Sequence, residues 1–149
     1  MTAEPRPLGA DDERLLRLVR SRLEAVGARA SVERVWETAF SAWVIRVAPE
    51  ARGAAPIQAW VVEDDVYLGV SESYIELYPL DERAWTWVGA VIDAVILGLI
   101  EETGRGSDKY IRLLIDAQPS GFGRLLMPMP WRWRRVRRFA PYDIVAPQS

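Results

Sequence analysis

The chain has no cysteine and no histidine, and Lys109 is its one lysine among nineteen basic residues. Absence of cysteine excludes a disulfide framework and any thiolate metal site, and with them the usual signature of an oxidising compartment. Absence of histidine removes the commonest general base, the commonest metal ligand and every Ser-His or Cys-His nucleophilic system. There is no G-x-S-x-G elbow, and a Ser-Lys pair would have to use Lys109, to which Ser107 is a neighbour in sequence only. The stretch "GRGSDK", residues 104–109, has the composition of a phosphate loop without the G-x-x-x-x-G-K-[ST] spacing, so it reads as a helix-to-strand loop. The expectation is a chain that is not an enzyme and needs no metal and no cofactor.

Long hydrophobic runs are scarce as well. From Trp85 to Ile100 only Thr86 and Asp93 are polar, yet these sixteen residues fall short of a membrane span. A span needs about twenty apolar residues, and an aspartate at mid-bilayer costs about 2.5 to 3.5 kcal/mol. The buried central helix of a globular core is the expected reading. The opening "MTAEPRPLGADDERLL" meets acids early and has neither a basic and apolar leader pattern nor transit-peptide composition, which points to the cytoplasm.

What is present is a chain of 149 residues, half of them hydrophobic, which suits one globular domain over residues 1–149. Residues 1–9 and 141–149, rich in Pro and Ala, read as tails. "DDERLLRLVRSRLEAVG" predicts an amphipathic helix with Leu15, Leu16, Val19, Leu23 and Val26 on one face, started by Asp11 or Asp12 and ended by Gly27. "SVERVWETAF" and "AWVIRVAP" alternate as two strands around a minimal turn at Ser41. "IQAWVV" and "VYLGV" form a hairpin around the acidic turn "EDD", and "SYIELYP" adds a strand. "DERAWTWVGAVIDAVILGLIEE" predicts about five turns of apolar helix capped by Asp81. After it come the strand "KYIRLLIDA", the loop "QPSGFGRLLMPMP" and a closing strand. The order α-β-β-β-β-β-α-β-β predicts an α+β fold, an antiparallel sheet of about six or seven strands covered on one face by two helices.

The closing stretch, "WRWRRVRR", concentrates charge. Residues 124–138 hold Arg124, Arg132, Arg134, Arg135, Arg137 and Arg138 with no acid, so this window carries +6 and the remainder of the chain −8. As a strand with a bulge at Arg134 and Arg135, it would put Trp131, Trp133, Val136 and Ala140 on the core side and the arginines in water. The same residues are also what a groove for single-stranded nucleic acid uses, cations tracking phosphates and rings stacking bases. No RNP, KH or zinc-finger pattern accompanies them, and the stretch has no apolar helical face for a membrane surface.

Two further features carry chemistry. Asp93 shares a helix strip with Thr86, Gly89, Ala90 and Leu97, a close-contact surface where the carboxylate could meet Arg34, Arg46 or Arg112, a partner or a second copy of the chain, or water. Glu63, Asp64 and Asp65 are contiguous acids that sit where a hairpin turns, a backbone role rather than a metal site. Seven tryptophans and five tyrosines are too many for two helices to cover. With Trp36, Trp43, Trp60, Tyr67, Tyr74, Tyr78, Trp131 and Trp133 all on strands, an aromatic patch on the open sheet face is the consequence.

The order of helix, meander, "YIELYPLDE", apolar helix "AVIDAVILGLIEE" and closing strands over residues 11–140 resembles small actinobacterial α+β proteins, among them immunity proteins of polymorphic-toxin systems. That resemblance implies a non-enzymatic cytoplasmic protein that binds another protein, a toxin or an enzyme. The partner surface expected from the residues comprises Arg124, Trp131, Arg132, Trp133, Arg134, Arg135, Arg137 and Arg138 together with the aromatic sheet face, and Asp93 marks a helix contact. The alternatives are single-stranded nucleic acid bound by residues 131–138, and a small molecule held between the sheet and the apolar helix.

Overall fold

The computed structural model describes residues 4–105, 108–123 and 136–145. The chain runs α1 (Ala10–Val26), β1 (Ala30–Glu37), β2 (Ala42–Pro49), β3 (Ile57–Val62), β4 (Asp65–Val70), β5 (Ser73–Leu77) and α2 (Glu82–Ile96). It then continues through β6 (Ile100–Arg105), β7 (Asp108–Leu113), β8 (Gly121–Gly123) and β9 (Val136–Arg138). The fold is α+β in the expected order. Strands β1 to β5 form a meander in which each is antiparallel to the next, and the later strands form a second antiparallel sheet in the order β8-β7-β6-β9.

Local chemistry sets most of these elements. The β3–β4 hairpin closes through Val62 opposite Asp65 and the β4–β5 hairpin through Val70 opposite Ser73, each leaving two turn residues. Glu63 and Ser71 take positive φ in these turns (52° and 56°), the twist that two-residue hairpins favour. The β1–β2 connection is longer than the expected turn at Ser41. β1 stops at Glu37, and Thr38 to Ser41 turn with Phe40 N–H donating to Glu37 and Ser41 N–H to Thr38. In α1 the first residue outside the helix is Gly9. Asp12, three positions later, accepts the Gly9 N–H at 2.8 Å and is itself held by Arg6.

Helix α2 begins as expected, with Asp81 accepting the Ala84 N–H at 3.0 Å, but it ends at Ile96. The remainder of the apolar run is the strand β6, because Gly98 turns left-handed (φ 70°) and redirects the chain. Apolar content cannot mark such a boundary, since a buried strand and a buried helix share it. The segment expected as a loop after β7 likewise contains β8, paired through Phe122 opposite Ile111.

Both helices cover one face of the five-stranded sheet, and α2 is buried between that sheet and the second one. Val88, Val91, Ile92 and Val95 are wholly enclosed, in one core cluster with Val61, Val66, Leu68 and Val70 of the first sheet and Ile100, Ile111 and Phe122 of the second. Trp87 meets Phe122 edge-on at 5.9 Å and donates its indole N–H to the Pro119 carbonyl. Each such aliphatic side chain contributes about 1.5 to 3 kcal/mol through burial. The space between the five-stranded sheet and α2 is therefore packed core.

The ends that read as tails are docked where they are described. Arg6 pairs with Asp12 and its carbonyl accepts the Trp43 indole N–H at 2.8 Å. Tyr142 is buried, and its N–H donates to Ile96, while Arg29 N–H donates to Asp143 and Val145 N–H to Gly27. This terminal segment ties the end of α2 to the α1–β1 connection.

Candidate functional site

Strand alternation divides the meander's aromatics between two faces. Trp36 and Trp43 lie on the helix side, edge to face at 5.5 Å under the Arg6 strap. Trp60, Tyr67 and Tyr74 lie on the opposite face, which no helix covers among the described residues. There Phe40, projected by the β1–β2 turn, stacks on Trp60 at 4.5 Å, and Trp60 stacks on Tyr67 at 5.2 Å. The rings are nearly parallel, 1° and 4° apart. With both faces covered, Trp60 is only 7% exposed, whereas Tyr74 across the groove is 63% exposed.

Between the stack and Tyr74 lies an open groove of about 460 Å³ with Gln58, Gly69, Ser71 and Glu72 along it. Gly69 gives the floor its depth. A Cβ there would meet Ser73, Gln58 and Tyr74 at ordinary contact distances of 3.6 to 3.7 Å, so larger side chains would rise into the groove. Charge around the rings is mainly acidic. Glu76 lies opposite Tyr67 in the β4–β5 register, and burial first, then the Glu76 carboxylate, holds the Tyr67 phenol above its ordinary range. Glu37 is matched by Arg46 at 3.0 Å.

At the groove's Glu72 end carboxylates and cations are matched. Glu72 pairs with Lys109, which also lies 3.9 Å from Glu102. The hydrogen bond from Lys109 pulls the Glu72 carboxyl below its usual range and lifts the ammonium above its own. Lys109 is thus a fixed cation, unsuited to act as the neutral amine of a Ser-Lys pair. Arg137 is close enough for its charge to be felt at both Glu72 and Lys109. Glu102, only 6% exposed and opposite Arg137 in the β6–β9 register, has one carboxylate oxygen without a hydrogen-bond partner among the described residues.

Of the arginine surface expected from the sequence, Arg137 and Arg138 are exposed on β9, opposite Glu102 and Glu101. Arg137 also lies over the Phe139 ring at 4.6 Å. Val136, expected on the core side, is 57% exposed; the chain reaches the core at Phe139 instead. Arg124, Trp131, Arg132, Trp133, Arg134, Arg135 and the bulge expected there lie outside the described residues.

Asp93 is at a helix contact inside the chain. Its carboxylate meets Arg22 of α1 at 2.7 Å, with its side chain 43% exposed. Gly89 makes this pairing fit, since a Cβ at that position would lie 2.7 Å from the Arg22 guanidinium. Arg34, Arg46 and Arg112, the partners considered from sequence, pair instead with Glu13, Glu37 and Glu101. Glu63 and Asp64 are exposed turn residues, as expected.

The groove was partly legible in advance. Once "EDD" is a two-residue turn, Trp60 must face Tyr67 across the hairpin. The β4–β5 hairpin sets Glu76 opposite Tyr67 in the same way, whereas Phe40 and the Lys109 cluster carry no such signal, because they converge only through tertiary contacts. No protein-family model, curated protein or solved structure matches the chain. Among the described residues no helix is long and apolar enough to cross a membrane, and no group of three or more acids could hold a metal ion.

Proposed function

We propose that this chain is a protein-binding module of immunity or inhibitor type, which meets its partner through the open face of the five-stranded sheet and the adjoining arginine strand. The observation that carries the reading is the Phe40–Trp60–Tyr67 stack with Tyr74 across an open groove, a pre-formed aromatic surface on a rigid sheet. Aromatic side chains bury large areas at small entropic cost and dominate binding energy at protein interfaces. The groove and β9 adjoin through Glu72, Lys109 and Arg137, so one partner covers both. Strands β3 to β5 hold Trp60, Tyr67 and Tyr74 in register, and preorganisation of this kind reduces the cost of binding.

Electrostatics favour this over the nucleic-acid reading. A phosphate chain stacked along the rings would meet Glu76, and the described arginines of β9 face glutamates across the sheet. The test is affinity capture with the intact chain, Tyr74→Ala with Phe40→Ser, and Arg137→Ala with Arg138→Ala, alongside oligonucleotide anisotropy. The reading expects a protein retained by the parent chain and lost from both double variants, with oligonucleotide binding weaker than about micromolar at physiological salt. Submicromolar oligonucleotide binding that disappears with Arg137 and Arg138, or capture indifferent to Tyr74 and Phe40, overturns it.

A further inference from the structure

We propose that the aromatic groove receives a basic segment of the partner protein, with an arginine side chain lodged between Tyr67, Tyr74 and Glu76. This rests on the binding-module reading and names the chemistry of its partner. The argument begins with which ring surfaces remain available. Trp60 is sandwiched between Phe40 and Tyr67 and presents only its edge. The tyrosines on the β5 side are different: Tyr74 is largely exposed, and Glu76 lies directly opposite Tyr67 on the neighbouring strand.

A ring face attracts cations, and a carboxylate beside it accepts the hydrogen bonds that a guanidinium must keep when it leaves water. Arginine suits the place better than lysine, because its planar head stacks on a ring while its edge pairs with a carboxylate. Asp65, whose charge also reaches Tyr67, adds to the attraction. An acidic segment would have to approach both carboxylates. At the other end of the groove Lys109 and Arg137 lie among Glu72 and Glu102, so the charges there balance. A surface whose carboxylates, unpaired with any cation among the described residues, gather beside Tyr67, with balanced charge at the other end, places a cation at the Glu76 end. Gly69, between Tyr67 and Ser71, leaves room on the floor for the aliphatic stem of the incoming side chain.

The experiment titrates the 15N-labelled chain with three peptides: acetyl-Ala-Arg-Ala-Arg-Ala-amide, the same peptide with citrulline for arginine, and the same with glutamate. Citrulline keeps the shape and removes the charge. The arginine peptide is expected to shift amides of β4 and β5 and the Trp60 indole, and to bind about fivefold more tightly than the citrulline peptide. The glutamate peptide is expected to leave these signals unmoved. Glu76→Gln, an exposed substitution, should bring the arginine and citrulline peptides to within about twofold of each other, and Tyr74→Ala should weaken both. Equal affinity for arginine and citrulline, shifts confined to other surfaces, or no binding up to about 10 mM overturns the proposal. If partner capture still depends on Tyr74 and Phe40 while arginine holds no advantage, the basic segment is wrong and the binding module stands. If capture ignores those residues, the module itself fails.

Discussion

Asp93 and Arg22 hold one another at 2.7 Å, yet both side chains are close to half exposed, and that decides what the pair contributes. Exposed ion pairs yield about 0.2 to 1 kcal/mol, so Asp93→Asn should lower the unfolding free energy by less than about 1 kcal/mol and leave the oligomeric mass unchanged. Urea denaturation with light scattering checks both. Tyr142 is the opposite case. It is buried, and its hydroxyl donates to the Ala55 carbonyl at 2.6 Å, so Tyr142→Phe should cost about 1 to 2 kcal/mol by leaving that carbonyl unpaired. Burial also pushes the Tyr142 phenol up. Its folded pKa therefore lies above the unfolded value of about 10, and its contribution is complete below that pH and declines above it, because the unfolded chain loses the proton first. Between about pH 9 and 11 the parent chain should lose more stability than Tyr142→Phe in chemical denaturation. Tyr67, also raised, leaves a residual slope in the variant.

Among the elements, α2 joins the two sheets, reaching β4 on one and Phe122 of β8 on the other. Ile92 is fully enclosed, and Ile92→Ala should destabilise by about 2 to 5 kcal/mol, with an unchanged urea m-value if unfolding stays cooperative. Gly98 is as sensitive for a different reason. It adopts φ 70° at the end of α2, and a Cβ there would lie 2.8 Å from the Pro141 nitrogen and 3.1 Å from the Phe139 carbonyl, both backbone atoms with little freedom to move. Gly98→Ala should therefore cost more than the about 1 kcal/mol of left-handed strain, and faster amide exchange at Tyr142 should accompany it. The hairpins and the Asp81 cap were readable because they depend on residues a few positions apart. The end of α2 was not, because the same apolar letters serve a helix up to Ile96 and a strand from Ile100. The side-chain direction of Val136 is not legible for a related reason: the phase of Trp131 and Trp133 in the sequence reaches it only through an assumed bulge.

On the scale of the whole molecule, folding should be independent of metal. Dialysis against EDTA is expected to leave the thermal midpoint unchanged, whereas a site occupied at a hundred times its dissociation constant would add about 2.7 kcal/mol and reveal itself as a clear drop on chelation. The sequence by itself determined the α+β class, the succession of helix, five strands and apolar helix, the burial of that helix and a surplus of aromatics on strands, because each depends on composition or short-range periodicity. Only the tertiary structure decided that the strands divide into two sheets around α2, and that Phe40 completes a stack with Trp60 and Tyr67. The same holds for Arg22 as the partner of Asp93, and for Glu72, Lys109 and Arg137 joining the groove to the arginine strand. The physical reason is range. Caps and turns are chosen by neighbours in the chain, whereas ring stacks and ion pairs between Arg22 and Asp93, 71 residues apart, exist only after the core has brought their elements together.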